Sequence, residues 1–260
     1  MKRCKLIVTD LDGTLLRNDK SISTFTLEIL NECRKRGVLI AFATARPVRG
    51  VEQVRKIFEP DVLINHNGAV FAYEGNQVSL GIDKVSLDNL LENIFKVFPG
   101  AEVGAEANDI FYANYDVTKY WKDESFMRTE TSFVGAELAY GDKVLVSLND
   151  IDINVLAACL PTSCYLEVAD GFMGMIMSKK ATKFNAITSF CDAWEIHSSE
   201  VICFGDDDND ISMISGCGIG VAMENANERV KSIADVVCLT NEKDGVAQWI
   251  NEFVLKGCRN

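Results

Sequence analysis

Six short apolar runs, separated by amphipathic stretches, constrain the fold of this 260-residue chain more than any other feature. They are Leu6–Thr9, Val38–Thr44, Val62–Asn65, Val201–Gly205, Gly218–Ala222 and Val236–Leu239. Such alternation is the signature of βα units on a parallel sheet. The stretches between them carry helical spacing. Phe25, Ile29 and Cys33 recur every four residues in Thr24–Arg36, with Gly37 as the stop. Pro47 is placed to open a second helix, where its missing N–H costs nothing, and Val51, Val54 and Phe58 give that helix an apolar face. The same pattern returns in Phe184, Ile187, Cys191 and Trp194, and in Val246, Ile250 and Phe253.

Between Asp83 and Lys179 the texture changes. A helix bearing Leu87, Leu91, Ile94 and Phe98 leads into two strand-like runs, Ala101–Ala107 and Ile110–Tyr115, joined at Asn108-Asp109. A strand (Lys143–Leu148), a helix (Ile153–Leu160) and a hairpin turning at Asp170-Gly171 follow. Hairpins demand antiparallel pairing, so this region reads as an α+β insert in an α/β domain. Met173, Met175 and Met177 alternate along one strand and are expected in the core of the insert rather than on a ligand platform.

The chemistry-bearing residues cluster where the parallel strands end. Asp10 and Asp12 follow the first strand, Thr44 ends the second, Asn65 and Asn67 follow the third, and Asp206 follows the Val201 run. Ligands of open α/β sheets bind outside the carboxyl ends of the strands. In Asp10-Leu11-Asp12-Gly13-Thr14 the two acids stand two residues apart, so an extended backbone points both the same way. Gly13 permits a sharp turn whose N–H groups cradle an anion. The run Gly205-Asp206-Asp207-Asp208-Asn209-Asp210 packs four acids into five residues, a costly arrangement without a cation. Oxygen ligands of this kind suit Mg2+, which takes one or two carboxylates together with water and phosphate oxygens.

In their order along the chain, DLDGT, FATAR, an isolated lysine before a helix, and GDDDND resemble the haloacid dehalogenase-like phosphatases. Asn67-Gly68-Ala69, the run from Asn225 to Lys231, Ala234-Asp235 and Asp244-Gly245-Val246 are similar to the Cof-like branch with a type IIB α/β cap. The resemblance implies a Rossmann-like core with helices on both faces, residues 1–82 and 180–260, and an inserted cap, residues 83–179. Carried over residue by residue, it makes Asp10 the nucleophile and Asp12 the general acid and base. Leu11, Thr44, Ala45, Lys183 and Asn209 are expected at the phosphate, and Asp10, Asp12, Asp206 and Asp210 at Mg2+. Arg46 and Asn67 are candidate substrate contacts. Ala45 and Phe184 depart from the branch, which usually has glycine at both places. Lys179 and Lys180 lie near Lys183, but Lys183 is preferred because Phe184-Asn-Ala-Ile opens the helix directly after it.

The resemblance thus implies a phosphatase acting on small phosphorylated metabolites, with sugar phosphates first and flavin mononucleotide or pyridoxal phosphate behind. A phosphotransferase or mutase would share the aspartyl-phosphate. A receiver-like signalling module shares an Asp, a Thr and a Lys but has no need of the insert or of GDDDND. A net charge of -12 argues against a nucleic-acid footprint and against docking on anionic membranes. Nine scattered cysteines with no CxxC pair, and only two histidines, make neither a zinc set nor a disulfide framework. With no apolar stretch near ~20 residues, the expectation is a cytoplasmic monomer or small homo-oligomer.

Overall fold

The computed structural model describes residues 4–120, 128–133, 138–169 and 171–257. In chain order its first elements are β1 (Leu6–Thr9), α1 (Thr24–Lys35), β2 (Leu39–Ala43), α2 (Glu52–Ile57), β3 (Val62–Asn65), β4 (Val70–Tyr73) and β5 (Asn76–Ser79). Next come β6 (Ile82–Asp83), α3 (Lys84–Val97), β7 (Val103–Ala107), β8 (Ile110–Ala113), β9 (Arg128–Glu130), β10 (Tyr140–Gly141) and β11 (Lys143–Ser147). The series continues with α4 (Ile153–Ala158), β12 (Cys164–Ala169), β13 (Met173–Ser178), α5 (Lys183–Ala193), β14 (Val201–Gly205) and α6 (Ile211–Gly216). It closes with β15 (Ile219–Met223), α7 (Glu228–Ile233), β16 (Val236–Cys238) and α8 (Gly245–Ile250). Contacts divide the chain into two compact units. One holds Met1–Arg46, Gly50–Val78 and Thr182–Asn260; the other holds Pro47–Arg49 and Ser79–Ala181. Residues 47–49, 79–82 and 180–181, grouped with the first unit in the sequence reading, fall in the second.

An eight-stranded sheet, ordered β16-β15-β14-β1-β2-β3-β4-β5, organises the first unit. It is parallel from β16 to β3. All four residues of β1 and all five of β14 are buried. Successive side chains of a strand point to opposite faces, so burial of every residue means that both faces are covered. The chain winds outward from β1 to β2 and β3, and later returns on the other flank through β14, β15 and β16. The order therefore reverses beside β1, and this switch point opens a crevice at the carboxyl ends of β1 and β14.

Two details differ from expectation. First, the sheet is not wholly parallel, because β4 runs antiparallel to β3. The turn between them, His66-Asn67-Gly68, takes three successive positive φ angles of 48°, 56° and 101°, which reverse the chain within three residues. Second, Pro47 does not open the second helix. Val48–Val51 form a 3-10 turn and α2 starts at Glu52. Arg49 bonds to Glu106 at 2.6 and 2.9 Å and to Asp109, which draws Pro47–Arg49 out of helical register and into the second unit.

In the second unit a six-stranded sheet is ordered β12-β13-β11-β7-β8-β9, antiparallel except between β8 and β9. Leu87, Leu90 and Ile94 of α3 and Leu156 of α4 pack on one face against Val103, Ala105, Val144, Val146 and Ile176. Met173 instead joins Phe111, Ala113, Val117 and Leu145 in a second cluster, and Met175 packs partly buried against it. The methionine stripe is thus packed in the insert, but on the side away from its main helix-covered core. The hairpin from β12 to β13 is present, although Asp170 at its expected turn lies outside the described residues.

Candidate active site

Every parallel strand that borders the crevice delivers a polar group to it. The β1–β14 register pairs Thr9 with Phe204, and the Asp10 N–H continues it by donating to the Phe204 carbonyl at 3.0 Å. Asp10 is buried at 6% exposure, and Thr44 at the end of β2 at 1%. Beyond β14 the backbone N–H groups of Asp206 and Asp207 donate to Asp210 Oδ2 at 2.9 and 3.1 Å. They fold the acidic run into a tight turn with Asp210 buried beneath it.

Gly13 makes the approach of the two acidic segments possible. Its φ is +79°, and a Cβ there would lie 2.3 Å from Asp206 Oδ2, closer than any packed contact allows. Thr14 then donates its hydroxyl to Asp206 Oδ1 at 2.5 Å. Gly68 performs the same service for the lysine. At φ +101° its missing Cβ would meet the Thr182 carbonyl at 2.2 Å, so its absence lets the first turn of α5 approach. Thr182 caps that helix by accepting from the Asn185 N–H at 3.1 Å, and Lys183 follows as the first helical residue. Phe184, where the branch has glycine, lies against Gly216.

Lys183 is completely buried and its Nζ lies 2.6 Å from both Asp10 Oδ1 and Asp210 Oδ1. Burial on its own favours the neutral amine, but the two carboxylates outweigh it and hold the lysine protonated well above its ordinary value. Lys179 and Lys180, by contrast, are exposed. Burial also pushes the Asp10 carboxyl up, to about 8, against the pull of Lys183 and with the help of Asp210 and Asp206. Asp206 is raised to about 6 by burial and by its acidic neighbours, against its hydrogen bond from Thr14.

One ammonium among three close acids leaves negative charge uncompensated, and this is the environment a hard divalent cation relieves. Asp10, Asp206 and Asp210 each present an oxygen within 4.8 Å of the others, so the donor set fits Mg2+ in ligand type and charge. The Asp12 side chain, expected with them, is not in that group. Arg46 grips it instead, Nε to Oδ2 and Nη2 to Oδ1, both at 2.6 Å, and Lys20 Nζ adds a third bond to Oδ1 at 2.7 Å. Burial works to raise the Asp12 carboxyl, but these hydrogen bonds and charges prevail and hold it below its ordinary value.

Asn67 and Asn209 also meet: the Asn209 Nδ2 donates to Asn67 Oδ1 at 3.0 Å, so Asn67 orients the amide expected at phosphate. The Asn67 N–H itself donates to the Thr44 carbonyl. Leu11 is buried and Ala45 partly buried in the two loops that flank Asp10 and Thr44. Asp207 and Asp208 are turned aside, bonded by Asn227 Nδ2 at 3.0 Å each, and Arg229 pairs with Asp208. Asn225 donates to the Gly13 carbonyl at 2.7 Å and accepts from the Asn241 N–H.

Sequence reasoning missed the parts played by Lys20, Asn225, Asn227 and Arg229. Asn225 to Lys231 stood out as a motif without a task. Lys20 gave no signal, since it belongs to an ordinary polar turn. Among the described residues no helix is long and apolar enough to cross a membrane, and all eight described cysteines are free.

The chain as a whole resembles known proteins. The sequence pattern of haloacid dehalogenase-like hydrolases matches residues 7–250. The 5-amino-6-(5-phospho-D-ribitylamino)uracil phosphatase YitU of Bacillus subtilis is 31% identical, over 95% of this chain and 97% of its own. A phosphoglycolate phosphatase of Methanopyrus kandleri is 27% identical, over 96% of this chain and 97% of its own. The solved structure of the subclass IIB sugar phosphatase BT4131 covers 95% of this chain and 98% of its own, with a TM-score of 0.79 at 23% identity, a likeness of fold.

Proposed function

The chain belongs to the haloacid dehalogenase-like hydrolases, and from that premise we propose that it is a Mg2+-dependent phosphatase of small phosphorylated metabolites, sugar phosphates foremost, acting through an aspartyl-phosphate. The observation that carries this reading is the buried lysine shared between Asp10 and Asp210 with Asp206 alongside. Relatives named for a ribityl phosphate and for phosphoglycolate favour a small ester with a polar leaving group.

Lys183 engages Asp10 Oδ1, which leaves Oδ2 to attack phosphorus in line. The new Asp10–phosphorus bond forms as the ester bond breaks, and the departing oxygen takes a proton from Asp12. Water then attacks the aspartyl-phosphate, Asp12 removes its proton, and the Asp10–phosphorus bond breaks to release phosphate. The entering dianion and the Asp10 carboxylate add negative charge beside Asp12, which promotes protonation of Asp12 for the first step.

Lys183 and the backbone N–H groups around Leu11 and Ala45 balance charge on the phosphoryl oxygens, and Asn67 fixes the Asn209 amide toward them. Asp10, Asp206 and Asp210 would hold Mg2+, which when bound neutralises the approach of ester to nucleophile. We assign the catalytic role to the first unit and a share of substrate preference to the second. The test is phosphate release from a panel of phosphorylated metabolites with Mg2+ and with a chelator. Turnover restricted to the Mg2+ arm supports the reading, and equal turnover in both arms sinks it.

A further inference from the structure

Building on the phosphatase reading, we propose that Lys20, together with Arg46, forms an anion-recognising subsite beside Asp12. It selects esters whose leaving group carries a carboxylate one or two carbons from the ester oxygen.

The argument starts from a surplus of charge. Arg46 alone spans both oxygens of Asp12 and satisfies that carboxylate. Lys20 adds a second cation at 2.7 Å to an oxygen already bonded, so the three groups carry one positive charge more than they need. That charge is approachable, because the Lys20 side chain is 59% exposed and Arg46 24%. Among the described residues Asp12 is the carboxylate that Lys20 pairs with. Asp244 is paired with Arg17, while Asp19 and Glu242 keep their charge and are bonded by Ser21 and by the Asn18 N–H rather than by Lys20.

Lys20 is also aimed. It stands at φ +67°, the left-handed region that a lysine seldom enters. Its turn is closed by Lys20 N–H to the Arg17 carbonyl and Arg17 N–H to the Ser21 carbonyl, at 2.9 and 3.0 Å. The turn in turn is pinned to residues 241–244. Arg17 forks onto Asp244, and Asn241 Nδ2 donates to the Leu16 carbonyl at 2.9 Å and to Asn18 Oδ1 at 3.2 Å. These bonds fix the backbone from which the Lys20 side chain reaches Asp12.

Geometry then fixes what the charge meets. To receive a proton, the leaving oxygen must come within about 3 Å of Asp12. Lys20 sits on Oδ1 of that carboxylate, so its ammonium lies within about 6 Å of a leaving oxygen that approaches Oδ1. A carboxylate on the adjoining carbon falls within this span, whereas a plain alkyl group offers the cation nothing.

The experiment compares kcat/KM for 2-phosphoglycolate and for ethyl phosphate, esters of similar size that differ in the carboxylate, using wild type, Lys20→Met and Lys20→Arg with Mg2+. Wild type should favour 2-phosphoglycolate. Lys20→Met should cut the ratio of the two about tenfold, the worth of one charge-assisted hydrogen bond, and Lys20→Arg should keep most of it. Thermal melting checks that both variants fold. Equal handling of the two esters by wild type, or an equal loss on both in Lys20→Met, overturns this inference while leaving the phosphatase intact. Absence of Mg2+-dependent release from these and from the wider panel overturns the phosphatase reading and this inference with it.

Discussion

Replacing Lys183 by Met removes a cation that is wholly buried and shared by two acids, and the cost follows from that burial. The substitution preserves most of the side-chain volume, so the loss is electrostatic rather than a cavity. Asp10 and Asp210 each lose a partner at 2.6 Å. Stripping one member from a buried ion pair costs about 3–5 kcal/mol, because the remaining charge stays desolvated. An exposed pair would cost at most about 1 kcal/mol. For a chain of this length the buried case lowers the melting temperature by roughly 6–20 °C.

The penalty should shrink at low pH, where Asp10 takes up a proton instead of facing its neighbours charged. It should also shrink in millimolar Mg2+, since the cation replaces the lost charge. Urea unfolding of wild type and Lys183→Met, at pH 8 and pH 5.5 with and without Mg2+, reads all of this. A loss below about 1 kcal/mol at pH 8 without metal, or one indifferent to pH and Mg2+, refutes the buried-charge reasoning.

Two further outcomes are expected. Gly13→Ala forces a Cβ to within 2.3 Å of Asp206 Oδ2 at a φ of +79°, so Asp206 must move; calorimetric titration should show Mg2+ affinity falling at least about tenfold, and unchanged affinity contradicts the assigned ligand set. Metal-free protein should lose stability as pH rises from 3.8 toward about 8, because burial raises the carboxyls of Asp206 to about 6 and Asp10 to about 8, so the native state binds more protons than the unfolded chain in that window. The Asp206 share is worth about 3 kcal/mol, Mg2+ should flatten the slope, and a metal-free stability that climbs over this range would count against it.

How legible all this was depended on the scale of the cause. Apolar runs such as Leu6–Thr9 and Val201–Gly205 announce themselves because strands buried on both faces tolerate almost nothing polar, and the register of β1 on β14 then brings Asp10 and Asp206 together. Lys183 was readable from the helix that follows it. The antiparallel turn into β4 was not, since it depends on left-handed residues at His66 and Asn67, where neither composition nor period gives warning.

The late start of α2 was hidden for another reason. Local propensity favoured a helix from Pro47, but the Arg49 pairs with Glu106 and Asp109, about sixty residues away in sequence, prevailed. Lys20 belongs to the same class. Its meaning comes from a turn pinned by Asn241 and Asp244, over two hundred residues on. The methionine stripe shows the reverse case, where period correctly foretold packing but could not say on which side of the sheet.

The nucleophilic role of Asp10 is tested most directly by quenching the reaction with acid during turnover of a phosphorylated substrate bearing labelled phosphorus. Wild type should carry label on a tryptic peptide containing Asp10, in an adduct cleaved by hydroxylamine, while folded Asp10→Asn carries none and turns over no ester. Label on another residue, or turnover by Asp10→Asn near the wild-type rate, would contradict the account.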